Sequence, residues 1–119
     1  MSEWQNPGIT SGSMSIDELL DAYHAALKEQ ASANAAEMQA RETCKVIMAE
    51  QQIAAGDVAV TKGEIIARAS PAYKNALRDL FEATETAEKA RGEVEYLRAR
   101  FEAWRTKMAM QRVVRQTAG

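Results

Sequence analysis

Residues 70–116 read SPAYKNALRDLFEATETAEKARGEVEYLRARFEAWRTKMAMQRVVRQ, and they predict one long helix that turns from acidic to basic as it runs. Ser70 is a good N-cap, and Pro71 falls at the first helical position, where its missing N–H costs nothing. The only helix breaker before Gly119 is Gly92, which weakens a helix by about 1 kcal/mol against Ala without ending it. Roughly 46 residues at 1.5 Å rise give a rod of about 69 Å, longer than any core this chain builds alone. A second helix, and other chains, are needed to cover its apolar stripe. That stripe is clearest late in the helix, where Ala90, Val94, Leu97, Phe101, Trp104 and Met108 keep the alternating four-and-three spacing of a coiled-coil seam.

Working outward, residues 56–69 form the link to the preceding element. Thr61-Lys-Gly-Glu64 has capping-box spacing and predicts a short helix over about 62–69. Before it, Ser15-Ile-Asp-Glu18 is another capping box and opens a helix over about 16–55, ended by Gly56. Its apolar residues are Ile16, Leu19, Leu20, Tyr23, Leu27, Met38, Cys44, Ile47, Met48 and Ile53, with an Ala-rich centre from Ala31 to Ala40. Small residues there let a neighbouring helix come close. A short link between long helices favours an antiparallel pair. The expected fold is all-α: an extended antiparallel helical hairpin or coiled coil with a short linking helix, assembled as a homo-oligomer. Residues 1–14, rich in Asn, Pro, Gly and Ser, are expected to be a disordered tail, with Trp4 read either as an idle tail residue or as an anchor onto a neighbouring subunit. Residues 15–119 then make one helical domain.

The 119 residues carry a net charge of only −2, but the average conceals a gradient. Residues 1–60 hold three Lys/Arg against nine Asp/Glu, net −6; residues 61–97 hold six against seven, net −1; residues 98–119 hold six against one, net +5. Such asymmetry suggests internal pairing or a polyanionic partner. The single cysteine, Cys44, cannot make an intrachain disulfide and suits a reducing compartment as a small half-buried residue. No stretch has the length of a membrane span or the layout of a signal peptide, so a soluble intracellular protein is expected, without a membrane partner.

No nucleotide-binding glycine loop, metal-ligand spacing or nucleophile–base set is present, which predicts no cofactor, no metal and no enzyme activity. His24 is the only histidine and reads as a surface or boundary residue. Glu82/Glu85 and Glu93/Glu95 lie among alternating charges and read as a solvated face. Charge and aromatic residues coincide only at the basic end. At 100° per residue, Val94, Leu97, Phe101, Trp104 and Met108 share a face; Arg98, Arg105 and Arg112 line one border of it, Arg100 and Lys107 the other, and Arg115 follows. Two readings compete. In one, the border arginines pair with acids of the first helix, namely Asp17, Glu18, Asp21 and Glu29. In the other, they project as a cationic strip for nucleic-acid phosphates, with Trp104 or Phe101 available for stacking on bases. The helical spacing makes both aromatics seam residues first. Met110, Val113 and Val114 fall off the seam and suggest a second face buried against another subunit.

The arrangement resembles the UvsY-type recombination mediators of tailed phages over roughly residues 16–105. The order of elements is similar, as are the link Arg68-Ala69-Ser70-Pro71-Ala72-Tyr73-Lys74 and the course from Glu95-Tyr96-Leu97 to Trp104-Arg105. The run Leu97-Arg98-Ala99-Arg100-Phe101-Glu102 is similar in type to a Leu-Lys-Ala-Arg-Leu-Asp motif linked with single-strand binding in that family, where it lies earlier in the chain. The resemblance implies a homo-oligomeric, non-enzymatic protein of the infected bacterial cytoplasm. Its implied partners are single-stranded DNA, a single-strand-binding protein and a RecA-like recombinase. The alternative class is a coiled-coil structural or assembly protein, a scaffold or adaptor whose charges only set helix pairing.

Overall fold

A computed structural model describes residues 14–118. Apart from Met14, the expectations for the N-terminal tail, Trp4 included, concern residues outside that range. The described residues form three α-helices and no strand: α1 (Ile16–Ala54), α2 (Val60–Ala69) and α3 (Pro71–Ala118). None is long and apolar enough to cross a membrane.

Local chemistry explains most boundaries. The capping box at the start of α1 is formed on both sides: the Ser15 N–H donates to Glu18 Oε1 at 2.9 Å, and the Glu18 N–H donates to Ser15 Oγ at 3.1 Å. Glu18 is held below its ordinary pKa chiefly by the Ser15 backbone N–H and then by its hydroxyl. Gly56 ends the helix as expected. It adopts φ +83°, a conformation glycine takes without a Cβ clash, and its N–H returns to the Ile53 carbonyl at 3.1 Å.

The start of α2 departs from expectation. The helix begins at Val60, with Ala59 at the N-cap and no side-chain cap. Thr61 therefore lies within the first turn, and the box with Glu64 is not made. The reason lies in the preceding turn, which closes tightly as the Val58 N–H bonds the Gly56 carbonyl at 3.0 Å. Val58 also packs over Gly63, 3.7 Å from where a Cβ there would stand. Helical geometry thus sets in before Thr61 can cap it.

One residue, Ser70, separates α2 from α3. Its φ −67°, ψ 144° is the extended conformation imposed on a residue before proline. The hydroxyl serves both helices, donating to the Ala67 carbonyl at 2.7 Å and accepting the Tyr73 N–H at 3.1 Å. Gly92 sits exposed within α3 with open space around it, and the helix runs through it.

The two long helices contribute to two packed units, one of residues up to Glu29 with Arg91 onward, the other Gln30–Ala90. In the first, Leu19, Ala26, Val94 and Leu97 are buried together, with Met14, Ile16, Ala22, Tyr23 and Phe101 packed against them. In the second, Ala33, Ala87 and Ala90 form the buried cluster. There the Cys44 thiol donates to the Ala76 carbonyl at 3.3 Å, and the Thr84 hydroxyl donates to Glu37 Oε2 at 2.9 Å. As α1 numbers fall from 44 to 37 to 33, α3 partners rise from 76 to 84 to 87, so this pair is antiparallel. The Ala-rich centre does admit a close neighbour.

The α3 seam extends the expected one backwards. The residues that are buried or half-buried include Tyr73, Ala76, Leu80, Ala83, Ala87, Ala90, Val94, Leu97, Phe101, Trp104 and Met108, an unbroken alternation of three and four. On α1 the matching series is Ile16, Leu19, Tyr23, Ala26, Gln30, Ala33, Glu37, Ala40, Cys44, Ile47 and Gln51. Of the apolar residues of α1, Leu20, Leu27, Met38 and Ile53 are exposed, and small and polar residues such as Gln30, Ala33, Glu37 and Ala40 hold seam positions instead.

Candidate nucleic-acid interface

The seam residues expected at the basic end are placed together. Val94 and Leu97 are buried, while Phe101, Trp104 and Met108 are half-buried. The Phe101 and Trp104 rings stack at 6.0 Å between centroids, 19° apart. The burial declines along α3 because its last turns run past the start of α1, where Met14 and Ser15 ahead of the helix and Ile16 and Leu19 within it line a groove with Arg100, Ala103, Trp104, Lys107 and Met108. Every residue from 109 to 117 is exposed.

The six basic residues divide into two classes by their partners. Arg98 donates through Nε to the Tyr23 hydroxyl at 3.3 Å, and that hydrogen bond raises its pKa above the ordinary arginine value. Arg100 donates to the Tyr96 hydroxyl at 3.0 Å and lies 5.8 Å from the centre of that ring. Arg105 meets Glu102 one turn back at 3.4 Å, an exposed pair of the kind that contributes little. Lys107, Arg112 and Arg115 have no ion pair or hydrogen bond to any described residue. Arg105, Arg112 and Arg115 line one surface hollow with Trp104 and Met108, and Arg100 and Lys107 share the groove on the other side of Trp104.

Five of the six basic residues do not make the pairing with first-helix acids that one of the two readings expects. Asp17, Glu18, Asp21 and Glu29 form no ion pair with Arg98, Arg105, Lys107, Arg112 or Arg115 among the described residues. The physical reason is reach: Arg112 and Arg115 stand on turns beyond the start of α1, and Arg98 is turned onto Tyr23. The two tyrosines are functional neighbours that sequence reasoning missed. Tyr96 to Arg100 is an i,i+4 spacing and was readable; Tyr23 to Arg98 depends on helix register, which no local signal fixes.

Elsewhere the surface carries less. His24 is exposed, as are Glu82, Glu85, Glu93 and Glu95. Among the described residues no cluster of three or more His, Cys, Asp or Glu is placed to hold a metal. Cys44 is buried at 7% exposure, deeper than expected. Met110, Val113 and Val114 are exposed at 64%, 59% and 63%, an apolar strip on the side of α3 away from Trp104. In comparisons with known proteins no family model matches the chain, and no curated protein and no solved structure matches it.

Proposed function

We propose that this protein binds single-stranded DNA through the basic end of α3 and serves as a recombination accessory that helps load a RecA-like recombinase. The observation that carries the DNA reading is the trio Lys107, Arg112 and Arg115, exposed and without partners among the described residues, beside a half-buried Trp104. Unpaired cations on an exposed helix are free to neutralise phosphates and release counterions, and the face of a tryptophan ring is a stacking surface for an unpaired base. Arg98, Arg100 and Arg105 would join after giving up tyrosine or Glu102 contacts. The recombinase and a single-strand-binding protein enter as partners only through the resemblance to UvsY-type mediators, as do the phage setting and the bacterial cytoplasm. On this reading the protein performs no covalent chemistry and needs no cofactor.

A second reading is favoured by the exposed Met110, Val113 and Val114: a coiled-coil assembly protein whose terminal turns bind another chain. Binding of a fluorescent single-stranded oligonucleotide, followed by anisotropy with a duplex control, separates the two. The DNA reading expects affinity that collapses with salt and at least a tenfold loss in the Lys107→Ala/Arg112→Ala/Arg115→Ala variant. Binding as tight as wild type in that variant rejects this site, and no binding at low salt leaves the assembly protein.

A further inference from the structure

Where α3 passes the start of α1, the chain forms a groove of about 440 Å³. Met14, Ile16, Trp104 and Met108, all half-buried, supply its apolar wall. Arg100 and Lys107 also line it, and among the described residues no acid does. Arg100 has the Tyr96 hydroxyl as a partner, whereas Lys107 has no partner among the described residues. An apolar hollow whose only charges are positive suits an occupant that joins a large apolar ring to a negative group.

The chain carries such an occupant next to the groove. Met14, part of the groove wall, packs against the core of Leu19, Ala26, Val94 and Leu97, so the segment before it joins the fold at this place. Residues 1–13 read MSEWQNPGITSGS, in which Trp4 is the only aromatic residue and its neighbour Glu3 the only charged side chain. About ten residues separate Trp4 from Met14, an extended reach of about 33 Å. The groove wall from Arg100 to Met108 takes up only about 12 Å of helix. Asn6-Pro7-Gly8 lies between Trp4 and Met14 and has the residue types of a chain reversal. A tether this short presents its own Trp4 at an effective concentration of roughly millimolar, above that of a second copy's at micromolar protein. We propose that the groove is the docking site of residues 1–13 of the same chain, with the Trp4 ring against Trp104 and Met108 and the Glu3 carboxylate at Lys107. The docking does not rest on DNA binding, although it covers two residues, Trp104 and Lys107, that the DNA reading also uses.

Two measurements on the full-length chain test this. In Trp4→Cys/Met108→Cys, mild oxidation is expected to close a disulfide within one chain, read as a species of one chain mass that has lost both introduced thiols. Cys44 is buried, so the introduced thiols react with each other. Trp4→Cys/Val113→Cys, whose second thiol lies on the side of α3 away from Trp104, is expected to close more slowly. The second measurement needs no cysteine. Trp104→Phe keeps a ring on the groove wall and leaves Trp4 as the single indole. Its fluorescence is expected to be quenched less by acrylamide in the folded chain than in the same chain unfolded in urea. Adding Glu3→Lys is expected to restore part of that quenching. A disulfide that links two chains, or equal closure in the two cysteine pairs, overturns the proposal. So does a Trp4 quenched as readily in the folded chain as in the unfolded one, or quenching that Glu3→Lys leaves unchanged.

Discussion

Ser15 and Thr61 carry the same capping-box spacing to a glutamate three residues on, yet only Ser15 caps a helix. Its hydroxyl accepts the Glu18 N–H, whereas Thr61 lies one residue into α2. Replacing an N-cap serine by alanine costs about 1 kcal/mol, so Ser15→Ala is expected to lower stability by that much in urea unfolding. Thr61→Ala removes no cap and is expected to stay within about 0.5 kcal/mol of wild type. Equal losses at the two sites would place the start of α2 at Thr61 after all. The same box gives a pH dependence. Because folding depresses the pKa of Glu18, its contribution is complete above the ordinary glutamate value and is lost as pH falls through the lower folded one. Glu18→Gln is expected to flatten the acid limb of the stability profile and leave neutral pH dependence unchanged, which a series of melts from neutral to acidic pH would read.

At the scale of the helices, packing follows volume as well as hydrophobicity. Leu97 is 3% exposed among Leu19, Ala26 and Val94, and Ala87 is 1% exposed against Ala33. Emptying the first and overfilling the second are both expected to destabilise. Leu97→Ala should cost about 2–3 kcal/mol through lost burial and a cavity. Ala87→Leu should cost about 1–3 kcal/mol because the neighbouring helix must move away. Thermal unfolding decides, and an Ala87→Leu variant as stable as wild type would mean the Ala cluster is loosely packed. These positions also mark what was legible. The stretch Val94–Met108 reads as a seam because its large apolar residues recur at three and four. The α1 partner does not read so, since Gln30, Glu37 and Gln51 occupy seam positions there, and polar residues give no periodic apolar signal. Glu37 is retained by the Thr84 hydroxyl and by Arg41, each bonded to its Oε2. A reading that sums apolar residues instead selects Leu20, Leu27, Met38 and Ile53, which face out. Helix boundaries set by Ser15, Gly56 and Ser70 were legible because each depends on one residue's own chemistry.

For the whole molecule, charge distribution decides more than net charge. A formal −2 would repel a polyanion if spread evenly, but the basic excess is concentrated towards the end of α3, where the Lys107, Arg112 and Arg115 side chains form no ion pair among the described residues. The division of the six cations into held and unpartnered groups turns this into a quantitative expectation. Single-stranded DNA loses affinity with salt at a slope of about −0.7 per phosphate neutralised. If only Lys107, Arg112 and Arg115 engage, a plot of log affinity against log salt should fall with a slope of about −2 per chain. If Arg98, Arg100 and Arg105 also leave their partners, the slope should approach about −4. A short oligonucleotide that occupies one chain keeps the count per chain, and anisotropy at several salt concentrations measures it. Arg98→Ala/Arg100→Ala then distinguishes the cases, since a slope unchanged from wild type keeps these two residues on Tyr23 and Tyr96 in the complex. A slope near zero in wild type would show that no phosphates are bound at all. The basic turns of α3 would then act only as a helix surface for another protein chain.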